Sequence, residues 1–169
     1  ETAVVVNNIG GPSISVTSND VLCSGDQTAS GTALASGGTT PYVYEWDDDA
    51  AQMTEVATNL GAGVYTVIVT DNNGSGCISS ASVTVSEPDA LSLNILSTND
   101  VCFNEGEGQA DANVSGGTVS GDYMYTWSDS QTSTSAMNLM ANVYSVTVED
   151  DNGCTIEGAT TISEPSALT

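Results

Sequence analysis

The sequence predicts an all-β fold of tandem immunoglobulin-like β-sandwich repeats with one disulfide in each repeat. Three observations support this prediction. The composition is rich in Val, Thr, Ser and Gly, residues typical of strands and turns. Runs of five to eight strand-like residues alternate with Gly, Asn-Gly, Asp and Pro, and nothing shows a helical period. Finally, one set of short motifs occurs twice in the same order.

The repeated motifs lie 77 to 81 residues apart. Because six motifs recur in order at nearly one period, the chain is predicted to hold two homologous units. The motif pairs are Ser18-Asn19-Asp20-Val21-Leu22-Cys23 with Thr98-Asn99-Asp100-Val101-Cys102, Ser36-Gly37-Gly38-Thr39 with Ser115-Gly116-Gly117-Thr118, Tyr42-Val43-Tyr44-Glu45-Trp46 with Tyr123-Met124-Tyr125-Thr126-Trp127, Asn59-Leu60 with Asn138-Leu139, Asp71-Asn72-Asn73-Gly74 and Cys77 with Asp150-Asp151-Asn152-Gly153 and Cys154, and Ser86-Glu87-Pro88 with Ser163-Glu164-Pro165.

The motifs divide the chain into repeat 1 at 13–90 and repeat 2 at 91–169. Residues 1–12 are expected to be the last strand of a preceding repeat, since Val4-Val5-Val6 before Pro12 resembles Val83-Thr84-Val85 before Pro88. The last four residues resemble the start of a following repeat. We therefore expect the chain to be part of a longer tandem array.

Strands are predicted near 13–18, 28–35, 42–47, 53–58, 63–70 and 78–86, and again near 91–97, 108–114, 123–128, 134–139, 142–149 and 155–163. Alternation puts aromatic side chains on one face of two strands in each repeat, where a Trp faces a Tyr-Val-Val stripe as in immunoglobulin-like cores. A sugar-stacking platform is the alternative for these aromatics, and core packing is favoured because both repeats carry them. The predicted structural core contains Tyr42, Tyr44, Trp46, Tyr65, Tyr123, Tyr125, Trp127 and Tyr144.

The charge excludes several classes of function. Twenty-two Asp and Glu residues stand against no Lys, Arg or His, so the formal net charge is −22. Binding to nucleic acid or to an anionic membrane surface needs a basic surface, which the sequence lacks. General acid–base catalysis by His or Lys is impossible, and no pair of carboxylates is marked as a glycosidase site. We predict a protein with no catalytic residues.

Each repeat carries two cysteines at matching positions, and four cysteines allow three pairings. The repeat favours the pairs Cys23–Cys77 and Cys102–Cys154, because each repeat then closes on itself. A metal site is disfavoured, since the chain has no C-x-x-C motif and no His. Disulfides place the protein outside the cytoplasm.

The acidic turns contain oxygen ligands of the type that calcium uses. Asp20, Asp71, Asp100 and Asp150 are candidate calcium ligands, although none of these turns matches the EF-hand pattern and a plain turn is favoured at any one of them. Repulsion among the carboxylates raises the expectation of bound cations. Asp47-Asp48-Asp49 has no repeated counterpart, which favours a solvated loop.

Taken together, these motifs resemble the SprB repeat of giant cell-surface adhesins of gliding gram-negative bacteria. The resemblance covers both repeats, and the differences between them lie in loops, such as the extra Ser75-Gly76 in repeat 1. It implies an exported, outer-membrane-attached surface protein sent out by type IX secretion, with no catalytic residues. No cofactor is expected to be required, and calcium is the possible one. Its partners would be further repeats of the same chain, external surfaces or polysaccharide, and gliding and secretion machinery reached through other parts of the parent protein.

The favoured function is therefore a stalk and adhesion module in surface attachment and gliding motility. Glu87-Pro88 and Glu164-Pro165 are expected to stiffen the joints between repeats, because proline restricts the backbone. The alternative is a calcium-dependent polysaccharide-binding module. Such a site would need an exposed aromatic outside the repeated stripe, and Phe103 is the candidate.

Overall fold

A computed structural model describes residues 10–71 and 76–167, and all the regular secondary structure in this part of the chain is β. No helix that could span a membrane occurs among these residues. Repeat 1 contains β1 (Ser13–Ser18), β2 (Ala29–Ser36), β3 (Tyr42–Trp46), β4 (Val56–Leu60), β5 (Gly63–Asp71) and β6 (Ile78–Val85). Repeat 2 contains β7 (Ser92–Thr98), β8 (Gly108–Ser115), β9 (Met124–Trp127), β10 (Ser135–Leu139), β11 (Asn142–Glu149) and β12 (Thr155–Ile162).

Each repeat folds into two antiparallel sheets of three strands. Repeat 1 has the orders β1-β2-β4 and β3-β5-β6, and repeat 2 has the corresponding orders β7-β8-β10 and β9-β11-β12. The first, second and fourth strands thus form one sheet and the third, fifth and sixth form the other. This is the strand order of an immunoglobulin-like sandwich without its fourth strand D, so the predicted fold class is confirmed.

The core of each repeat is built on a buried tryptophan. Trp46 and Trp127 are 1 % and 2 % exposed, and each indole Nε1 donates to a backbone carbonyl of the next loop, at Thr54 and Ser133. Alanines, valines and a leucine from both sheets fill the remaining space. Apolar side chains of the two sheets therefore share one core in each repeat, as strand alternation requires.

A second immunoglobulin-like feature is a tyrosine near the start of the fifth strand. The Tyr65 hydroxyl donates to the Gly61 carbonyl over 3.2 Å, and the Tyr144 hydroxyl donates to the Met140 carbonyl over the same distance. Each bond returns to the backbone four residues upstream, as in a tyrosine corner. This contact holds the turn between the fourth and fifth strands.

The repeated Asn-Leu motif forms a β-bulge. Asn59 and Asn138 have positive φ angles of 56° and 57°, and both are skipped in the pairing of the fourth strand with the second. Asn tolerates this left-handed conformation better than other non-Gly residues. The extra residue turns the following Leu60 or Leu139 into the core.

Most strand predictions agree with the structure within two residues. The largest difference is β4, predicted at 53–58 and found at Val56–Leu60. Residues before Val56 remain in a loop because the Trp46 indole binds the Thr54 carbonyl, and the bulge lets the strand continue to Leu60. The strand expected in residues 1–12 falls mostly on residues outside the described part of the chain, as do Asn72-Asn73-Gly74.

Two compact units divide the described chain. The first contains residues up to Val21 and from Gly25 to Glu87, and the second contains Leu22–Ser24 and the residues from Pro88 onward. Leu22–Ser24 thus belongs to repeat 1 in sequence and to the second unit in space.

Candidate functional site: the two ends of each repeat

The repeated polar motifs gather at the two ends of each sandwich. We call the end at which the chain of a repeat begins its leading end, and the end at which that chain finishes its trailing end. The turn between the fifth and sixth strands lies at the leading end, and the loop after the first strand lies at the trailing end. The second cysteine of each repeat follows the leading-end turn, whereas the first cysteine lies in the trailing-end loop.

The leading end of repeat 2 is built around a buried carboxylate. Asp150 is 3 % exposed, and its Oδ1 accepts the backbone N–H groups of Asn152 and Cys154 at 2.9 Å. Its Oδ2 accepts the N–H of Thr118 at 2.8 Å. Burial raises the pKa of Asp150, but the three backbone donors together lower it by more than burial raises it. The pKa therefore lies below its ordinary value of 3.8.

Repeat 1 has the same arrangement around Asp71, which is also 3 % exposed. Its Oδ2 accepts the N–H of Thr39 at 3.1 Å, and its Oδ1 accepts the N–H of Cys77 at 3.0 Å. The two repeats therefore use this aspartate for the same purpose. It holds the leading-end turn against the Gly-Gly-Thr segment.

The Gly-Gly-Thr segment has room only for glycine beside the carboxylate. Gly38 and Gly117 have φ angles of 63° and 66°, and a Cβ atom would stand 2.6 Å and 2.5 Å from the Oδ2 atoms of Asp71 and Asp150. A tyrosine hydroxyl completes the turn in each repeat: Tyr42 donates to the Gly37 carbonyl, and Tyr123 donates to the Gly116 carbonyl at 2.8 Å. The motifs shared by the repeats are thus joined in one structural network.

The trailing end differs between the repeats at Asn-Asp. In repeat 2, Asp100 is 4 % exposed and accepts the N–H groups of Gly106 and Glu107 at 2.8 and 3.2 Å. In repeat 1, Asp20 is exposed and its Oδ1 accepts the N–H of Ser86 at 2.8 Å. The equivalent bond in repeat 2, to the N–H of Ser163, is made by Asn99 instead. Matching sequences therefore do not give matching partners at this loop.

A glutamate holds the cysteine loop at the trailing end of each repeat. Glu87 Oε2 accepts the N–H of Gly25 at 2.6 Å, and Glu164 Oε2 accepts the N–H of Asn104 at 2.7 Å. The loop is also tied to the end of the sixth strand, since the N–H of Val21 donates to the Ser86 carbonyl at 2.9 Å. These contacts fix the first cysteine of each repeat beside the residues at which that repeat finishes.

The predicted pairings Cys23–Cys77 and Cys102–Cys154 are wrong: the structure pairs Cys23 with Cys154, whose Cα atoms are 5.6 Å apart. Within one repeat the two cysteines lie at opposite ends of the eight-residue sixth strand, which spans about 26 Å. A disulfide needs Cα atoms within about 7 Å, so neither predicted bond can form. The disulfide of the described chain instead joins a residue from the sequence of repeat 1 to one from repeat 2.

Residues Leu22–Ser24 accordingly belong to the second compact unit. Besides the disulfide, the Asn152 side-chain amide donates to the Leu22 carbonyl at 3.0 Å. Cys102, which occupies the position of Cys23 in repeat 2, is an exposed free thiol. Cys77 does not share in the Cys23–Cys154 bond.

The four candidate calcium ligands lie apart within each repeat. Asp20 and Asp100 are at the trailing ends, whereas Asp71 and Asp150 are at the leading ends, and all four accept backbone N–H groups. Within residues 10–71 and 76–167, no three acidic or cysteine side chains group closely enough to hold a metal ion. Calcium binding by these aspartates stays a prediction.

Asp47-Asp48-Asp49 lines a cavity of about 430 Å³ together with Tyr65 and neighbouring polar residues. Asp47 Oδ1 accepts the N–H of Thr66 at 2.7 Å. Both oxygens of Asp48 accept hydrogen bonds from Gln52. Burial raises the pKa of Asp48, but its hydrogen bonds lower the pKa by more, so it lies below the ordinary value. Asp47 thus ties its loop to β5, and Asp48 holds the loop itself.

The aromatic side chains predicted to form the core differ in how deeply they are buried. Trp46, Trp127 and Tyr125 are buried, and the other five are partly buried against the two cores. Burial raises the pKa of Tyr44, as does nearby Glu55. Phe103 is 52 % exposed, in the loop that carries Cys102.

Sequence reasoning missed two structural residues in each repeat. Gln52 and Gln131 each bridge the loop after the third strand to the backbone of the fourth, at Thr58 and Met137. For Glu87 and Glu164, the sequence predicts only a place beside proline at the joints. The recurrence of both residue types at one period was the signal that could have identified them.

Comparison with known families gives a match to the SprB repeat at two segments, residues 15–51 and 95–132. The two segments cover corresponding parts of the repeats, from the first strand to just beyond the tryptophan motif. The resemblance inferred from the motifs is confirmed. No curated protein sequence matches the chain.

Solved structures that are similar to this chain include proteins with several immunoglobulin domains. The N-terminal eight domains of the Down syndrome cell adhesion molecule are 11 % identical at a TM-score of 0.46, with 94 % of this chain and 25 % of that chain covered. Sidekick-1 domains 1–5 are 10 % identical at a TM-score of 0.42, with 95 % and 40 % covered. A Dscam isoform is 14 % identical at a TM-score of 0.38, with 94 % of this chain and 47 % of that chain covered. This chain thus spans less than half of those chains, and the immunoglobulin-like assignment rests on its own strand order.

Proposed function

We propose that this chain, which contains two SprB repeats, is a non-catalytic segment of a large secreted bacterial cell-surface adhesin. It acts there as an extended stalk and adhesion module in surface attachment and gliding motility. Type IX secretion, attachment at the outer membrane and contact with the gliding machinery belong to the same proposal and would involve other parts of the parent protein.

The disulfide is the observation that carries this proposal. Cys23 and Cys154 are separated by 131 residues, so one covalent bond links sequence positions that enclose most of the chain. The motifs shared by the repeats are engaged in holding turns and loops at the two ends of each sandwich. A stalk that carries mechanical force needs such reinforcement, whereas an enzyme would need a cleft with convergent reactive groups.

The outer face of the sheet β3-β5-β6 supports an adhesive role. Val43 in β3 and Ile78 in β6 are the cross-strand neighbours of Thr70 in the central strand β5, so their side chains lie on one face of the sheet. Ile68 lies on the same face, because it is two residues from Thr70 in β5. These three apolar side chains are 57 %, 66 % and 39 % exposed. Apolar contact is one way for so acidic a protein to adhere to a surface despite charge repulsion.

Beads coated with the oxidised chain test the adhesive role in a flow cell with a polysaccharide-coated wall. The beads should resist detachment better than beads coated with reduced, carboxamidomethylated chain, which carries the same formal charge. The double variant Ile68→Thr, Ile78→Thr should weaken attachment, and Thr66→Ser on the same face is the matched control. Equal detachment of all these beads would contradict adhesion by these repeats.

A second candidate function is calcium-dependent polysaccharide binding, which the acidic cavity of repeat 1 favours. Calorimetric titration of calcium, with and without an oligosaccharide, tests it. The variant Asp49→Asn should reduce binding, whereas Asp129→Asn in the corresponding loop of repeat 2 should not. No calcium-specific heat relative to magnesium would overturn this candidate.

A further inference from the structure

Cys102 occupies the same place in repeat 2 as Cys23 in repeat 1. Both follow an Asn-Asp motif at the trailing end, and both lie in a loop whose backbone is held by the glutamate of Ser-Glu-Pro. Asp100 further anchors the loop of repeat 2, because its N–H donates to the Ser163 carbonyl at 3.0 Å. The Cys102 thiol is therefore held in a defined, exposed position at the end of its repeat.

No cysteine of repeat 2 can reach this thiol. Cys154 is bonded to Cys23 and lies at the leading end. The length of β12 separates it from Cys102 at the trailing end. A partner for Cys102 must therefore come from outside the repeat and must present a cysteine at an accessible turn.

The structure shows what such a partner looks like. Cys23 bonds to the cysteine that follows an Asp-Asn-Gly turn, and the carbonyl of the preceding Leu22 accepts a bond from the Asn152 side chain of that turn. Val101 stands in the position of Leu22 before Cys102. A further SprB repeat would present the same cysteine and the same asparagine at its leading end.

We propose that Cys102 forms a disulfide with the leading-end cysteine of a following SprB repeat, so that bonds of the Cys23–Cys154 type join successive repeats along the array. This inference rests on the proposed function, in which the chain is a segment of a larger adhesin that carries further repeats. Under this proposal, the cysteines of SprB repeats form disulfides between successive repeats and not within a single repeat.

The chemistry is a two-electron oxidation. Two thiols lose two protons and two electrons as one S–S bond forms. A disulfide oxidant accepts the two electrons and the two protons, its own S–S bond breaks, and it becomes two thiols. In the export compartment a thiol–disulfide oxidoreductase is the class of reagent required, and oxidised glutathione replaces it in the test.

The test uses the full chain extended after Thr169 by a second copy of residues 93–169, in which Val101→Leu and Thr155→Ile give the two cysteine peptides of the appended copy their own masses. Repeat 1 carries these side chains at the same places, as Leu22 and Ile78. This junction preserves register, because Ser163-Glu164-Pro165-Ser166-Ala167-Leu168-Thr169 aligns with Ser86-Glu87-Pro88-Asp89-Ala90-Leu91-Ser92. The purified protein is oxidised in a glutathione buffer, alkylated, digested with pepsin at low pH and mapped by mass spectrometry without reduction. Trypsin would not cleave it, since the chain has no Lys or Arg.

We expect a peptide pair linking Cys102 to Cys154 of the appended copy, beside the pair linking Cys23 to Cys154 of the original repeat. Alkylation of Cys102, complete in the unextended chain, should be almost lost. In the Cys102→Ser variant, Cys154 of the appended copy should become fully alkylated while the Cys23 pair remains.

Full alkylation of Cys102 in the extended chain, with the Cys23–Cys154 pair present, would overturn the proposal. A Cys102–Cys154 bond within one repeat, or loss of the Cys23–Cys154 pair, would overturn it as well. Bond mapping involves no surface, so failure of the bead attachment experiment leaves this result unaffected.

Discussion

At the scale of single residues, the buried aspartates show how an acidic protein accommodates charge without cationic side chains. Asp71 and Asp150 lie beneath turns whose N–H groups point at the carboxylate oxygens. Backbone dipoles replace water around the charge, and hydrogen bonds to a charged group contribute more than neutral ones. The sequence marked these residues by repetition, but it could not distinguish a backbone-bound carboxylate from a calcium ligand, because both occur in Asp-Asn-Gly turns.

The variant Asp150→Asn tests this role. Its amide group would place a donor against the N–H of Thr118 or of Cys154, so we expect a loss of about 1–3 kcal/mol in the free energy of unfolding. Urea denaturation monitored by tryptophan fluorescence measures the loss. Asp122→Asn removes the same charge at an exposed position and should change stability little; an equal effect of both variants would point to net charge instead.

The contribution of Asp150 should also depend on pH. Its folded pKa is lowered below 3.8, so the stability it provides is fully present above that ordinary value and is lost as pH falls through the folded pKa. The stability difference between the wild type and Asp150→Asn should therefore shrink as pH falls below about 4. Thermal unfolding of both proteins across this range measures it. A difference that stays constant would show that the carboxylate charge plays no part.

At the scale of elements, the paired motifs predicted the strands well because each strand combines alternation with flanking turn residues. The pairing of cysteines was predicted wrongly because the sixth strand separates them within each repeat. That separation was available in principle, since a strand was expected between the second cysteine and Ser-Glu-Pro. What the sequence could not supply was that the glutamate folds the first cysteine loop onto the far end of that strand.

The β-bulge at Asn138 gives a test of register. Asn138→Gly should be nearly neutral, because Gly adopts a positive φ freely. Asn138→Val should cost about 1–2 kcal/mol or more, since the left-handed conformation is costly for a branched side chain. Chemical denaturation of the two variants compares them, and equal stability would show that β10 does not require the bulge.

At the scale of the whole molecule, the chain combines separate sandwich cores with a disulfide of long sequence separation. On a loop-entropy estimate, closing a loop of this length stabilises the folded chain by about 5 kcal/mol. Such a bond matters for repeats of this size, whose cores are small and whose net charge is strongly negative.

Cys23→Ser should therefore lower the free energy of unfolding by several kcal/mol in an oxidising buffer. Cys102→Ser, which replaces the exposed thiol at the equivalent position, is the control and should have little effect. Urea denaturation at fixed ionic strength measures both. A larger loss in the control than in Cys23→Ser would contradict the observed pairing.

Pulling single molecules from their two termini measures whether Cys23–Cys154 fastens a segment that carries mechanical force. The disulfide shields 131 of the 169 residues from extension, which leaves 38 that can lengthen. We predict that the oxidised chain extends to about 140 Å, and that the reduced chain extends to about 600 Å, at roughly 3.6 Å per residue. An oxidised chain that extends as far as the reduced one would contradict the claim.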